Sequence, residues 1–72
     1  MPKLPQPKPD KVAKVLEKLG FQFVRQKGSH AIFVNGSLVV TIPMHRKELK
    51  KGTLSNIIKQ SGVSAKEFIS LL

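Results

Sequence analysis

The sequence predicts an α+β fold, a two-layer sandwich in which a helix, three antiparallel strands, a second helix and a short last helix follow one another. Three observations support this prediction. An apolar stripe at helical spacing precedes three segments rich in β-branched and aromatic residues, short glycine turns separate these segments, and helical patterns return after a proline. With 72 residues in one small domain, any functional site should lie on a surface or in a shallow groove.

The chain begins with a proline-rich segment, which we predict to be a flexible leader over residues 1–9, before a single domain over residues 10–72. Four of the five prolines lie in this leader, where they disfavour helix and favour an extended arm. The first helix is predicted over residues 10–19, with Pro9 in its first turn and Gly20 ending it. Its apolar stripe consists of Val12, Val15, Leu16 and Leu19.

The strands are predicted over residues 21–26, 29–34 and 37–42. Two-residue alternation places Phe21, Phe23 and Arg25 on one face of the first strand. Lys27-Gly28 is predicted to form the first turn. Asn35-Gly36 is predicted to form the second, as a type I′ hairpin with positive φ at both positions. Three strands joined by two tight turns form an antiparallel meander.

The helical patterns resume after Pro43, which should end the sheet because it has no N–H to donate. Thr53 is the predicted N-cap of the second helix, and Gly62 its end. Ser64 to Glu67 has the capping-box pattern of a short last helix. We expect both main helices on one face of the sheet, which leaves the other face open to a partner.

The composition excludes several classes of protein. The formal charge of +9 favours a phosphate backbone or an acidic protein as partner. The absence of cysteine and of any long apolar run indicates a cytoplasmic protein without disulfides or membrane spans. The four carboxylates are scattered and the two histidines have no zinc spacing, so we expect no metal site and no cofactor.

The leading candidate for chemistry is His30, which follows Gly28-Ser29 at the start of the second predicted strand. Histidine is the side chain best suited to proton transfer near neutral pH. Alternation places His30 on one face with Ile32 and Val34, although the sequence does not say which face meets the helices. The alternative is a half-buried strand residue with a satisfied ring nitrogen. If this protein cuts nucleic acid, metal-free acid–base chemistry is the remaining route. That chemistry needs a ribose 2′-hydroxyl as the internal nucleophile, so the substrate would be RNA.

Four short motifs, in this order and spacing, resemble those of the HicA (YcfA-like) toxins. The motifs are Leu19-Gly20-Phe21, Arg25 to His30 (RQKGSH), Ile42 to His45 (IPMH) and Lys51 to Leu54 (KGTL). The resemblance extends from about residue 10 to the end of the chain. It implies a double-stranded-RNA-binding-like fold and a ribonuclease that cuts mRNA and stops translation. It also implies that His30 is catalytic, that Gly28 and Ser29 shape its turn, and that a HicB-type antitoxin neutralises the toxin.

The resulting hypothesis is a toxin of a type II toxin–antitoxin system, a metal-independent endoribonuclease whose active site an antitoxin covers. The candidate RNA-binding residues share positive charge or basicity: Arg25, Lys27, His45, Arg46, Lys47, Lys50 and Lys51. The start of the second helix is either a phosphate site or an ordinary capped terminus. The proton donor to the leaving group stays open among His45, Lys47, a nearby lysine and the RNA substrate itself. The rival functions are a non-catalytic RNA-binding module and a helix-turn-helix DNA-binding domain.

Overall fold

The computed structural model describes residues 5–45 and 47–72, and in them the predicted order of elements is confirmed. The elements are α1 (Pro9–Lys18), β1 (Gln22–Lys27), β2 (His30–Asn35), β3 (Leu38–Pro43), α2 (Lys51–Ser61) and α3 (Ala65–Ser70). The protein is therefore α+β, with one helix before an open three-stranded sheet and two after it. This arrangement is consistent with the double-stranded-RNA-binding-like fold that the resemblance implies.

The sheet has the strand order β1-β2-β3, and both pairs of strands are antiparallel. On one of its faces, Ala31 and Phe33 of β2 and Val40 and Ile42 of β3 are buried. They pack in one core with the apolar sides of the helices, which contribute Val12, Val15, Leu16, Leu54, Ile57, Ile58 and Phe68. The helices thus cover one face, as predicted, and none of the helices in residues 5–45 and 47–72 lies on the opposite face, here called the open face.

The helix ends follow the local sequence with one exception. Pro9 lies in the first turn of α1, Gly62 ends α2 with a φ of 79°, and the Ser64 hydroxyl accepts a hydrogen bond from the Glu67 N–H at 3.1 Å. The prediction that Thr53 is the N-cap of the second helix is wrong. The helix begins at Lys51, three residues earlier than that cap implies, and the N-cap residue, Lys50, makes no side-chain capping bond.

Both hairpin turns lie one residue later than predicted. They are formed by Gly28-Ser29 and Gly36-Ser37, because Lys27 pairs with His30 and Asn35 pairs with Leu38. A type I′ turn needs positive φ at both central residues. Among the described residues only glycines have positive φ, so the predicted Asn35-Gly36 type I′ turn is wrong.

The segment before α1 contacts the connection that follows the sheet. The Leu49 N–H donates a hydrogen bond of 2.8 Å to the carbonyl oxygen of Pro7, and the Leu49 side chain is fully buried. The division into a leader (residues 1–9) and a domain (residues 10–72) stays a prediction, and residues 1–4 lie outside the described residues. None of the helices in the described ranges has the length and apolar character that a membrane crossing requires.

Candidate functional site

His30 is the first residue of β2 and lies directly after the Gly28-Ser29 turn. Its cross-strand neighbours are Lys27 on β1 and Pro43 on β3. The next residue of β2, Ala31, is buried against the helices, so alternation places the His30 side chain on the open face. The side chain is exposed, and the alternative of a half-buried strand histidine is wrong. Its imidazole is accessible to a ligand on this face.

A β-bulge in β1 brings Arg25 to the same face as His30. Phe23 pairs with Phe33, but Arg25 pairs with Ile32, and the register shifts between them. Residues directly opposite each other in an antiparallel pair have their side chains on the same face. Phe23 therefore lies on the face of Phe33, with the ring centroids 5.7 Å apart, whereas Arg25 lies on the open face. The predicted common face for Phe23 and Arg25 is wrong, because the extra residue of a bulge re-aims the side chains beyond it.

The turn before His30 depends on a glycine backbone. Gly28 has a φ of +60°, and a Cβ added there would meet nothing within 4 Å. The carbonyl oxygen of Ser29 accepts a hydrogen bond from the N–H of Met44, which follows the end of β3. The turn is thus attached through its backbone to the segment that carries His45.

The two glycine-serine turns of the sheet provide a matched pair of variants. We expect Gly28→Ala and Gly36→Ala to destabilise the fold to a similar extent, about 1–2 kcal/mol, because both add a Cβ at left-handed φ, values of +60° and +61° with open space around them. If His30 takes part in catalysis, only Gly28→Ala should also lower activity, because only that turn directly precedes His30. Urea unfolding and an activity assay on folded protein measure the two effects. Equal loss of activity in both variants would contradict this role of the Gly28 turn.

His45 lies in a tight bend after β3. Its N–H donates a hydrogen bond of 3.1 Å to the carbonyl oxygen of Pro43, two residues earlier, which is the bond of a γ-turn. Its exposed side chain lines two open grooves. One is lined by Lys8, Pro9, Asp10, Met44 and His45. The other is lined by Pro43, His45, Lys47, Glu48, Lys50 and Thr53.

The start of α2 is positively charged and uncapped. Lys50 is the N-cap residue without a side-chain capping bond, and the first turn contains no acidic residue. The first backbone N–H groups of a helix have no partner within the helix and favour anions. With Lys47 and Lys50 lining the adjacent groove, this end of α2 is suited to a phosphate or another anion. Thr53, predicted as the cap, instead lines the groove.

The structure places the predicted site residues in two sets, one on the open face and one in the groove beside Pro43. Arg25, Lys27 and His30 lie on the open face, and His45, Lys47 and Lys50 line the groove beside Pro43. Lys51 is exposed at the start of α2, and Arg46 lies outside the described residues. No group of three histidine, aspartate or glutamate side chains that could hold a metal ion occurs in residues 5–45 and 47–72.

Two residues that line a groove with His45 were not expected from the sequence. Lys8 and Asp10 lie at the start of α1 and reach this groove only because α1 begins beside the end of β3. Lys8 and Asp10 are too far from His45 along the chain for a sequence motif to link them. The sequence signal for Lys8 is limited to its positive charge.

Comparison of the chain with known protein families agrees with the fold and the candidate site described above. The family model of the HicA toxin of bacterial toxin–antitoxin systems matches residues 9–63 of the 72-residue chain. The match begins with α1 and includes the whole sheet, the turn before His30 and α2. The chain belongs to the HicA toxin family. No curated protein matches it.

Proposed function

We propose that this HicA-family chain is a metal-independent endoribonuclease that cuts mRNA, with His30 as its general base. The observation that carries the proposal is the position of His30. It is exposed at the start of the central strand, on the open face with Arg25 and Lys27, and it lies inside the range that matches the toxin family. This arrangement provides a proton acceptor next to positive charges that attract a phosphate.

The proposed reaction uses the RNA itself as nucleophile. His30 removes the proton from a ribose 2′-hydroxyl, and the oxygen attacks the adjacent phosphorus. The bond between phosphorus and the 5′-oxygen of the next nucleotide then breaks, which gives a 2′,3′-cyclic phosphate and a 5′-hydroxyl. A positioned general base typically contributes about 10²–10⁴-fold to the rate of such a step. Arg25 and Lys27 are proposed to stabilise the negative charge that develops on the phosphate oxygens.

The basic groove residues are proposed to hold the RNA backbone on either side of the cut. Each phosphate that a lysine neutralises releases counterions, so binding should weaken steeply with salt, by a slope of about 0.7 per contact for a single strand. The groove beside Pro43 and the start of α2 supply three such lysines, Lys47, Lys50 and Lys51.

Replacing these three lysines with glutamine should weaken RNA binding and reduce the salt slope by about 2, if each holds one phosphate. A matched control removes the same charge from exposed positions on α1 and α3, at Lys11, Lys14 and Lys66. The control variant should have almost the same salt slope as the wild-type chain, because it loses net charge but keeps the proposed phosphate contacts. Fluorescence titration of a labelled RNA at several salt concentrations measures both slopes. The same slope in the two triple variants would contradict a localised backbone site.

The partner is proposed to be an acidic antitoxin of the HicB type that covers His30 and the open face. The net charge of +9 and the exposed Arg25, Lys27 and His30 support this proposal, because complementary charge favours rapid and specific association. Native mass spectrometry of the chain co-expressed with a candidate antitoxin tests it. A chain that remains monomeric in the presence of the co-expressed antitoxin would contradict the proposal.

The experiment that tests the function is incubation of the purified chain with an mRNA in the presence of EDTA. We expect cleavage, because no proposed step requires a metal ion. RNA binding without any cleavage would instead support a non-catalytic RNA-binding module, a function suited to this fold.

The helix-turn-helix alternative finds no support in the helices. The segment that would serve as recognition helix, α3, has six residues, and its Phe68 side chain is fully buried in the core. A recognition helix instead places its side chains in the DNA major groove.

A further inference from the structure

The fold brings the two histidines of the chain to the same end of the sheet. We propose that His45 is the general acid of the reaction and donates a proton to the departing 5′-oxygen. The inference rests on the proposed ribonuclease function and assigns the proton transfer that this function leaves open. It concerns a side chain that the sequence alone suggests only as one of several candidates.

Three backbone contacts fix the relation between the two histidines. His30 is paired with Pro43 across the β2–β3 ladder, and His45 follows Pro43 by two residues in a bend closed by the 3.1 Å bond from its N–H to the Pro43 carbonyl. The Met44 N–H is bonded to the Ser29 carbonyl oxygen. With cross-strand Cα distances of about 5 Å and Cα steps of 3.8 Å, the two histidine Cα atoms lie within about 13 Å.

This separation suits two imidazoles that act on one phosphate from opposite sides. Pro43 has its side chain on the same face as that of its cross-strand partner, His30. Pro43 also lines the groove that His45, Lys47 and Lys50 line. A phosphate bound over Pro43 would therefore have His30 on its strand side and His45 on its groove side. That is the arrangement that in-line displacement requires, since the attacking and leaving oxygens lie on opposite sides of phosphorus.

The chemistry favours histidine over the neighbouring lysines as proton donor. General acids act best when their proton affinity matches the working pH, and histidine is the side chain closest to that condition near neutrality. Lys47 and Lys50 are better suited to fixed positive charge against the non-bridging phosphate oxygens. His45 is exposed, so it can take up a new proton from water after each turnover.

The proposed step balances in atoms and protons. The bond between the 2′-oxygen and phosphorus forms as the bond between phosphorus and the 5′-oxygen breaks. His30 gains the proton of the 2′-hydroxyl, and the protonated His45 gives its proton to the 5′-oxygen. The products are a 2′,3′-cyclic phosphate and a 5′-hydroxyl, and both histidines return to their starting states by proton exchange with water.

The test uses two RNA substrates of the same sequence, one with an ordinary 5′-oxygen and one with a 5′-bridging sulfur at the cleaved bond. A thiolate leaves without protonation, so the sulfur substrate needs no general acid. His45→Ala and His45→Asn should slow cleavage of the ordinary RNA by about 10²-fold or more and leave cleavage of the sulfur substrate close to the wild-type rate. His30→Ala should slow both substrates, because both need the general base.

Lys47→Ala serves as the control from the same groove. This variant should bind both substrates more weakly, and to the same extent. The sulfur substrate should not restore its cleavage rate. Equal slowing of both substrates by the His45 variants would overturn the proposal, since it would show a binding or structural role. The proposal would also be overturned if the His45 variants cut the ordinary RNA at the wild-type rate. It would be overturned too if the sulfur substrate restored the rate of Lys47→Ala but not that of the His45 variants.

The same assay separates failure of this inference from failure of the proposed function. If His30→Ala cuts both substrates at the wild-type rate, or if the wild-type chain cuts neither, the ribonuclease mechanism itself is wrong and the role of His45 falls with it. If the wild-type chain and His30→Ala behave as expected, the His45 variants alone decide the inference. Circular dichroism of each variant confirms folding, which substitution of an exposed side chain should preserve.

Discussion

The His30→Ala variant should cut RNA about 10²–10⁴-fold more slowly than the wild-type chain, because it lacks the proposed general base. RNA affinity should change little, since Arg25, Lys27 and the lysines beside His45 remain in place. Single-turnover cleavage with enzyme in excess measures the chemical step, and fluorescence titration measures binding. The combination of lost cleavage and retained binding is the result that identifies His30 as catalytic.

Thr41→Ala is a suitable control for this experiment. Thr41 is exposed on β3 and pairs with Ile32, so its side chain lies on the same open face as that of His30. Its removal should leave the cleavage rate almost unchanged. Full activity in His30→Ala would assign catalysis to another group, and a parallel loss in both variants would indicate a general disturbance of the face.

The second large effect is expected in the core, at Phe68 of α3. Its side chain is fully buried, although α3 lies beyond the residues matched by the family model. Phe68→Ala removes a buried ring and leaves a cavity, which should lower the free energy of unfolding by about 3–5 kcal/mol. A domain of this size has on the order of 5 kcal/mol in total, so the variant should keep only about 0–2 kcal/mol and up to about half of it should be unfolded.

Urea unfolding followed by circular dichroism measures this loss. The control is Leu72→Ala, at a residue that is 41% exposed, and its effect should be small. A loss below about 1 kcal/mol in Phe68→Ala would be far from the usual cost of such a cavity. It would mean that α3 does not complete the core as described.

The sequence predicted the helices and strands because their patterns are local. The apolar spacing of α1, the Ser64 cap of α3 and the glycine that ends α2 each depend on neighbouring residues. The hairpin at Asn35 was misplaced because its side chain has another partner. The Asn35 side-chain N–H donates to the Leu19 carbonyl oxygen at 3.3 Å, which joins β2 to the end of α1, and Gly36 takes the left-handed position alone.

The candidate site was only partly predictable for the same reason. The Gly28-Ser29-His30 turn is a local feature, but the face on which His30 lies depends on what covers the sheet. The position of Arg25 depends on a bulge that the regular alternation of β1 does not reveal. The approach of His45 to His30 depends on pairing between β2 and β3 and on the bond from Met44 to Ser29, and no spacing along the chain encodes it.

The proposed nucleophile is the 2′-hydroxyl of RNA, activated by His30. Incubation of the purified chain with a defined RNA in EDTA, followed by mass spectrometry of the product ends, tests this proposal. We expect 2′,3′-cyclic phosphate and 5′-hydroxyl ends that the His30→Ala variant does not produce. Products with 3′-hydroxyl and 5′-phosphate ends would contradict it, because they require water as the nucleophile.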